Sequence, residues 1–135
     1  MEFIKSVIDF VLHLDRHLSG INQHYGLSTT FSEKGLREAF YADCPEEDVA
    51  LARLCLTAQS LEPMSAPVAW TAERVGRIPK AYIACAQDRI KGDAETQRAA
   101  LADFPEVEFL VIDASHSPFF SRPAELADML QRLAG

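Results

Sequence analysis

Hydrophobic positions along the chain fall into two regimes. From the start they recur at Phe3, Val7, Phe10, Val11, Leu14 and Leu18, the spacing of one helix face, and Gly20 follows as a stop. Residues 21–31 are polar and contain Gly26, which predicts a loop. Ser32 is placed to N-cap a short helix over 33–41. The stretch DCPEEDVALARLCLTAQ predicts a second helix, with Asp43 or Cys44 at the cap, Pro45 in the first turn and three acids near the positive end of the helix dipole. Residues 60–79 hold three prolines and predict an extended connection.

After Pro79 the pattern changes. KAYIACA and VEFLVID are short apolar runs without a helical stripe, as expected of strands buried on both faces of a parallel sheet. Between them DAETQRAALADF predicts a helix, completing a right-handed strand–helix–strand crossover. A last helix begins near Ser121 and Pro123 and is expected to bury Leu126, Met129, Leu130 and Leu133. The chain thus reads as α/β, one domain overall, with a helical region over 1–79 and an α/β segment over 80–135. Two parallel strands make an incomplete sheet. Its open edge wants a further strand from this chain or another, so homo-oligomerisation is an expectation.

Composition narrows the functional classes. With 135 residues, 48% of them hydrophobic and 24% charged, the chain reads as one globular domain. A net charge of −7 argues against nucleic acid as a partner, because phosphate contacts need clustered Lys and Arg. No apolar run approaches membrane-spanning length, so no membrane partner is expected. Charges interleaved through the first apolar stretch do not fit a secretory signal. Cys44, Cys55 and Cys85 are sparse, odd in number and without metal-type spacing, which predicts reduced thiols and a cytoplasmic setting. His13 and His17 lie four apart, but Leu14 stands where a zinc protease carries Glu, so they read as a solvated helix flank. Neither a metal nor a cofactor is expected.

The candidate chemistry lies at two strand ends. Asp88 follows the first predicted strand and His116 the second, and parallel neighbours bring both to the sheet edge where α/β proteins place their sites. An Asp there can accept the Nδ1–H of the His and leave Nε2 as a general base; strand-end Asp and His residues also serve as caps and turn formers. Phe119 and Phe120, just beyond His116, fit either a pocket lining, together with Trp70, or packing under the last helix.

The segments IPKAYI, C-x-x-D-R-I at 85–90, Gln97 and SHSPFFSRPAEL resemble the C-terminal part of α/β-hydrolase-fold esterases, the group that includes plant methyl-ester esterases and hydroxynitrile lyases. Residues 37–79 resemble that group's cap and the return to the core, so the likeness covers roughly 36–133. It implies a partial α/β-hydrolase fold, hydrolysis of a small-molecule carboxylic ester, Asp88 as the triad acid and His116 as the triad base. The group's lyases leave cyanohydrin chemistry open beside ester hydrolysis.

Those enzymes also carry a nucleophile elbow, G-x-S-x-G, which this sequence lacks. GLSTT at 26–30 has Thr30 in place of the last Gly and no buried strand before it. Ser115 and Ser117 flank His116 on one turn, and Cys85 lies within the first strand as a small core residue. Three readings therefore stand. The chain is a hydrolase portion needing a serine from elsewhere and inactive alone, or a non-catalytic remnant acting as a binding or oligomeric module, or, against its initial Met, a piece of a longer protein.

Overall fold

In the computed structural model of the chain, residues 22–25, 28–60, 63 and 71–135 are described. The predicted first helix, His13, His17 and Trp70 lie outside them. The predicted loop over 21–31 is instead a hairpin. Strand β1 (Asn22–Tyr25) pairs antiparallel with β2 (Ser28–Phe31), from Asn22↔Phe31 to Tyr25↔Ser28. The short β3 (Gln59–Ser60) pairs on the other side of β2, giving a three-stranded antiparallel sheet in the region read as helical. Polar composition hid these strands. The signals were there in Thr29, Thr30 and Phe31, which favour extended backbone, and in a two-residue gap that contains Gly26.

Ser32 caps the next segment as predicted, its Oγ accepting from the Gly35 N–H at 3.0 Å. Helix α1 (Glu33–Gly35) runs directly into a π-helical turn, Leu36–Phe40, so the predicted helix over 33–41 forms with a widened second turn. Helix α2 (Glu46–Cys55) starts after Pro45, which occupies the cap position assigned to Asp43 or Cys44. Asp43 does not cap the helix because its carboxylate accepts hydrogen bonds from Ser115, far along the chain. The helix ends at Cys55, and extended backbone leads from Leu56 into β3. Leu36, Tyr41, Cys44, Val49 and Ala52 form the core beneath these elements, with Phe31, Phe40 and Phe120 packed against it. Within the predicted extended connection, Ala72–Gly76 forms a second π-helical turn.

The crossover unit follows the sequence closely. Strands β4 (Ala81–Cys85) and β5 (Glu108–Ile112) pair in parallel, from Ala81↔Glu108 to Cys85↔Ile112. Between them lies α3 (Ala94–Ala99), capped by Asp93, whose Oδ1 accepts from the Thr96 N–H at 2.9 Å. It is shorter than predicted, and hydrogen-bonded turns carry residues 100–107 back to β5. Helices α4 (Pro118–Ser121) and α5 (Pro123–Ala134) close the chain. Met129 packs with Cys85, Ile112 and Ala114, and Leu126 flanks them. Leu130, expected inside, is 52% exposed, so the buried stripe is narrower than its spacing suggested. Burial of both strand faces is likewise incomplete. Ala84 and Ile112 are fully enclosed while Val111 is 50% exposed, because β4 and β5 have no third strand beside them among the described residues.

Candidate active site

The ladder continues past the strand ends. Ala86 N–H donates to Ile112 O at 2.9 Å and Gln87 N–H to Ala114 O at 3.0 Å. The loops that carry Asp88 and His116 therefore leave the sheet side by side. Gln87 Nε2 donates to Asp113 Oδ1 at 2.6 Å and ties them again at the surface.

Asp88 and His116 meet where the sequence places them. Asp88 Oδ2 lies 2.9 Å from His116 Nδ1. The other oxygen, Oδ1, accepts from the backbone N–H groups of Ile90 at 2.7 Å and Lys91 at 3.0 Å. Asp88 is only 6% exposed. Burial alone would raise its pKa, but the bonds from His116 and from the Lys91 and Ile90 N–H groups outweigh it and hold the carboxyl below its ordinary value of 3.8. A carboxylate whose folded pKa is depressed stabilises the fold above its unfolded pKa and loses that contribution as pH falls through the folded one. The gap in Tm between the natural chain and Asp88→Asn is therefore expected to be full at pH 7 and to shrink below about pH 4. A calorimetric gap unchanged down to pH 2.5 would contradict an ionised Asp88.

His116 is held from the helical side as well. The rings of Phe40 and His116 lie perpendicular, centroids 5.1 Å apart and planes at 89°, a T-shaped contact made by the last residue of the π-helical turn. On its flanks, the Ser115 N–H donates to Asp43 Oδ2 at 3.0 Å and the Ser115 hydroxyl donates to Asp43 Oδ1. The Cys44 thiol lies 3.9 Å from the Ser117 carbonyl. Arg89, beside Asp88, donates to the Glu38 carbonyl at 3.1 Å. Behind the pair, the buried Gln97 donates through Nε2 to Cys85 O at 2.8 Å and Gly92 O at 2.7 Å, and its Oε1 accepts from the Tyr82 hydroxyl at 3.1 Å. Gln97 thus braces both ends of the loop that carries Asp88. Gly92 closes that loop at φ +83°, where a Cβ would meet Thr96 at 2.9 Å.

None of the nucleophile candidates among the described residues has the required setting. Ser28 lies in an antiparallel strand opposite Ser60, not at a strand–helix elbow. The Ser115 hydroxyl is engaged by Asp43, and Ser117 is buried. Burial first, and then the nearby Asp88 and Asp43 carboxylates, push the Cys85 thiol up to about 11, far from the thiolate a nucleophile needs. Cys44 is pushed up to about 11 in the same way, by burial and by Asp43 and Asp48. Among the described residues no three His, Cys, Asp or Glu side chains come together as a metal site. Phe120 is half-buried and packs against the core, its ring centroid 5.7 Å from that of Tyr41, while Phe119 is 56% exposed. No helix among the described residues is long and apolar enough to cross a membrane.

Sequence reasoning missed Asp43 as part of this assembly. Its place in a D-C-P-E run reads as helix capping, and no local pattern signals a bond to a residue 72 positions away.

Comparison with known proteins agrees with this architecture. The sequence model of the alpha/beta hydrolase family matches residues 4–129. Methylesterase 7 of Arabidopsis thaliana is 29% identical over 107 residues, covering 77% of this chain and 41% of the relative. The pyrethroid hydrolase of Sphingobium wenxiniae is 32% identical over 116 residues, covering 84% of this chain and 41% of that protein. Among solved structures, polyneuridine aldehyde esterase superimposes with a TM-score of 0.77 at 19% identity, over 96% of this chain and 56% of that one. A pyrethroid hydrolase from Sphingobium faniae JZ-2 superimposes with a TM-score of 0.73 at 28% identity, over 88% of this chain and 49% of its own. The chain spans less than half the length of the curated relatives it matches. With the family model matched over nearly its whole length, the chain belongs to the alpha/beta hydrolase family.

Proposed function

We propose that this chain supplies the acid and base of a Ser-His-Asp ester hydrolase acting on a small-molecule carboxylic ester. The observation that carries the reading is the 2.9 Å bond between Asp88 Oδ2 and His116 Nδ1, with Asp88 held ionised by two backbone N–H groups. Relatives named methylesterase and pyrethroid hydrolase support an ester as the substrate class. In this mechanism Asp88 fixes the proton on Nδ1, so Nε2 is the free base. His116 takes the proton of a serine that lies outside this sequence, and the serine oxygen attacks the ester carbonyl. The protonated imidazole then returns the proton to the departing alkoxide, leaving an acyl-serine. Water, deprotonated by His116, adds to the acyl carbonyl, and the collapsing intermediate expels the serine oxygen, which regains the proton as the acid leaves.

A second reading, a non-catalytic module, is favoured by the lack of any G-x-S-x-G in the sequence. Co-expression separates the two. The chain is produced alone and together with the N-terminal portion of Methylesterase 7, and hydrolysis of p-nitrophenyl acetate is followed in each case. Turnover in the paired sample that vanishes with His116→Ala, and is absent from either part alone, is the expected result. A folded, associated pair whose residual turnover is the same with His116→Ala would leave the module reading standing.

A further inference from the structure

We infer that Asp43 is a positioning residue for His116: it holds the base from the helical side of the molecule by gripping Ser115, the residue immediately before it. The inference rests on the acid–base reading of the Asp88–His116 pair and adds a second carboxylate to it.

Three consecutive residues of the His116 loop are each met by one short segment. Phe40 meets the His116 ring, Asp43 binds Ser115 through both main chain and side chain, and Cys44 approaches the Ser117 carbonyl. Only the Asp43 bonds are charge-assisted, and so they are the strong members of the set. Ser115 is 2% exposed, so its N–H and hydroxyl have no water to turn to if Asp43 is removed. Arg122 Nη1 stands 4.0 Å from Asp43 Oδ2 and offsets its charge. Burial works against ionisation of Asp43, yet the two Ser115 bonds hold its carboxyl below the ordinary value of 3.8. Asp88 fixes the imidazole from its Nδ1 side, and Asp43 fixes the backbone from which the imidazole hangs. With that backbone loose, the short Nδ1–H bond would open more often, whatever the overall stability of the chain.

The test reads that bond directly and needs no nucleophile. An imidazole N–H bonded to a carboxylate gives a far-downfield proton resonance that exchanges slowly with solvent. In the full chain labelled with 15N-histidine, this resonance is assigned to His116 through His116→Gln. Asp43→Asn keeps the size of the side chain but leaves one Ser115 donor facing an amide NH2. Exchange of the His116 proton is expected to quicken about tenfold or more, with the dispersed amide spectrum otherwise retained. Ser115→Ala, which keeps the N–H bond and loses the hydroxyl, is expected to quicken it by about threefold. Exchange within twofold of the natural chain in a folded Asp43→Asn variant would overturn the inference. If that variant does not fold, unchanged exchange in Ser115→Ala would overturn it. A natural chain with no such resonance would instead sink the Asp88–His116 pair itself, which keeps the two failures distinct.

Discussion

Replacing Asp88 by Asn is expected to lower kcat of the completed enzyme by about 10⁴ while leaving KM nearly unchanged. The reason is which end of the amide faces His116. Asp88 Oδ1 accepts from two backbone N–H groups, at 2.7 and 3.0 Å. An Asn must keep its carbonyl oxygen there, which turns its NH2 toward His116 Nδ1. The imidazole then accepts at Nδ1 and carries its proton on Nε2, where a base needs a lone pair. His116→Ala removes the base altogether and is expected to cost a similar factor, since members of a catalytic unit are not additive. The double variant should fall no further than either single one. Steady-state kinetics on the co-expressed pair would measure this. A loss of less than tenfold in Asp88→Asn would show that Nδ1 protonation by Asp88 does not govern the rate.

The largest effect on stability is expected at Gln97. Substitution by Leu, close in volume, should destabilise the fold by roughly 2–4 kcal/mol. The side chain is 4% exposed and its amide satisfies Cys85 O, Gly92 O and the Tyr82 hydroxyl. Leu satisfies none of them, and Cys85 O is buried at the end of β4, where no water replaces the donor. Thermal unfolding should show Tm lower by on the order of 10 °C. Tyr82→Phe removes only the hydroxyl bond and should cost about 1 kcal/mol, so the difference between the two variants isolates the carbonyl contacts. Equal losses in both would place the stability in the tyrosine and not in the brace around the Asp88 loop.

The legible parts of this molecule are those whose signal is local. KAYIACA and VEFLVID lack a helical stripe and are strands; Ser32 precedes a helical start and caps it. Because two parallel strands must end at the same edge, Asp88 and His116 could be paired from sequence. The hairpin was masked, because the polar residues of Asn22–Tyr25 and Ser28–Phe31 give no apolar alternation, and the extended-backbone preference of Thr29, Thr30 and Phe31 is a weaker signal than their polarity. Leu130 has the spacing of a buried position but is exposed, in a unit whose parallel sheet is two strands wide among the described residues. Asp43 is the plainest case. Its neighbours spell a helix start, and what decides its role is a serine brought beside it only when the whole chain has folded.

The seam between the two regions has a thermal consequence. Among the described residues the ties across it at the site are side-chain contacts: Asp43 to Ser115, Phe40 to His116, Cys44 to the Ser117 carbonyl, Arg89 to the Glu38 carbonyl and Tyr41 against Phe120. The β4–β5 ladder and the Met129 core lie wholly on one side. A partial opening along the seam would free the histidine loop while the ladder stayed protected against amide exchange. On warming, the Asp88–His116 pair would part before the sheet melts, so its heat resistance is set by the contacts that hold the His116 loop, not by the strength of the ladder.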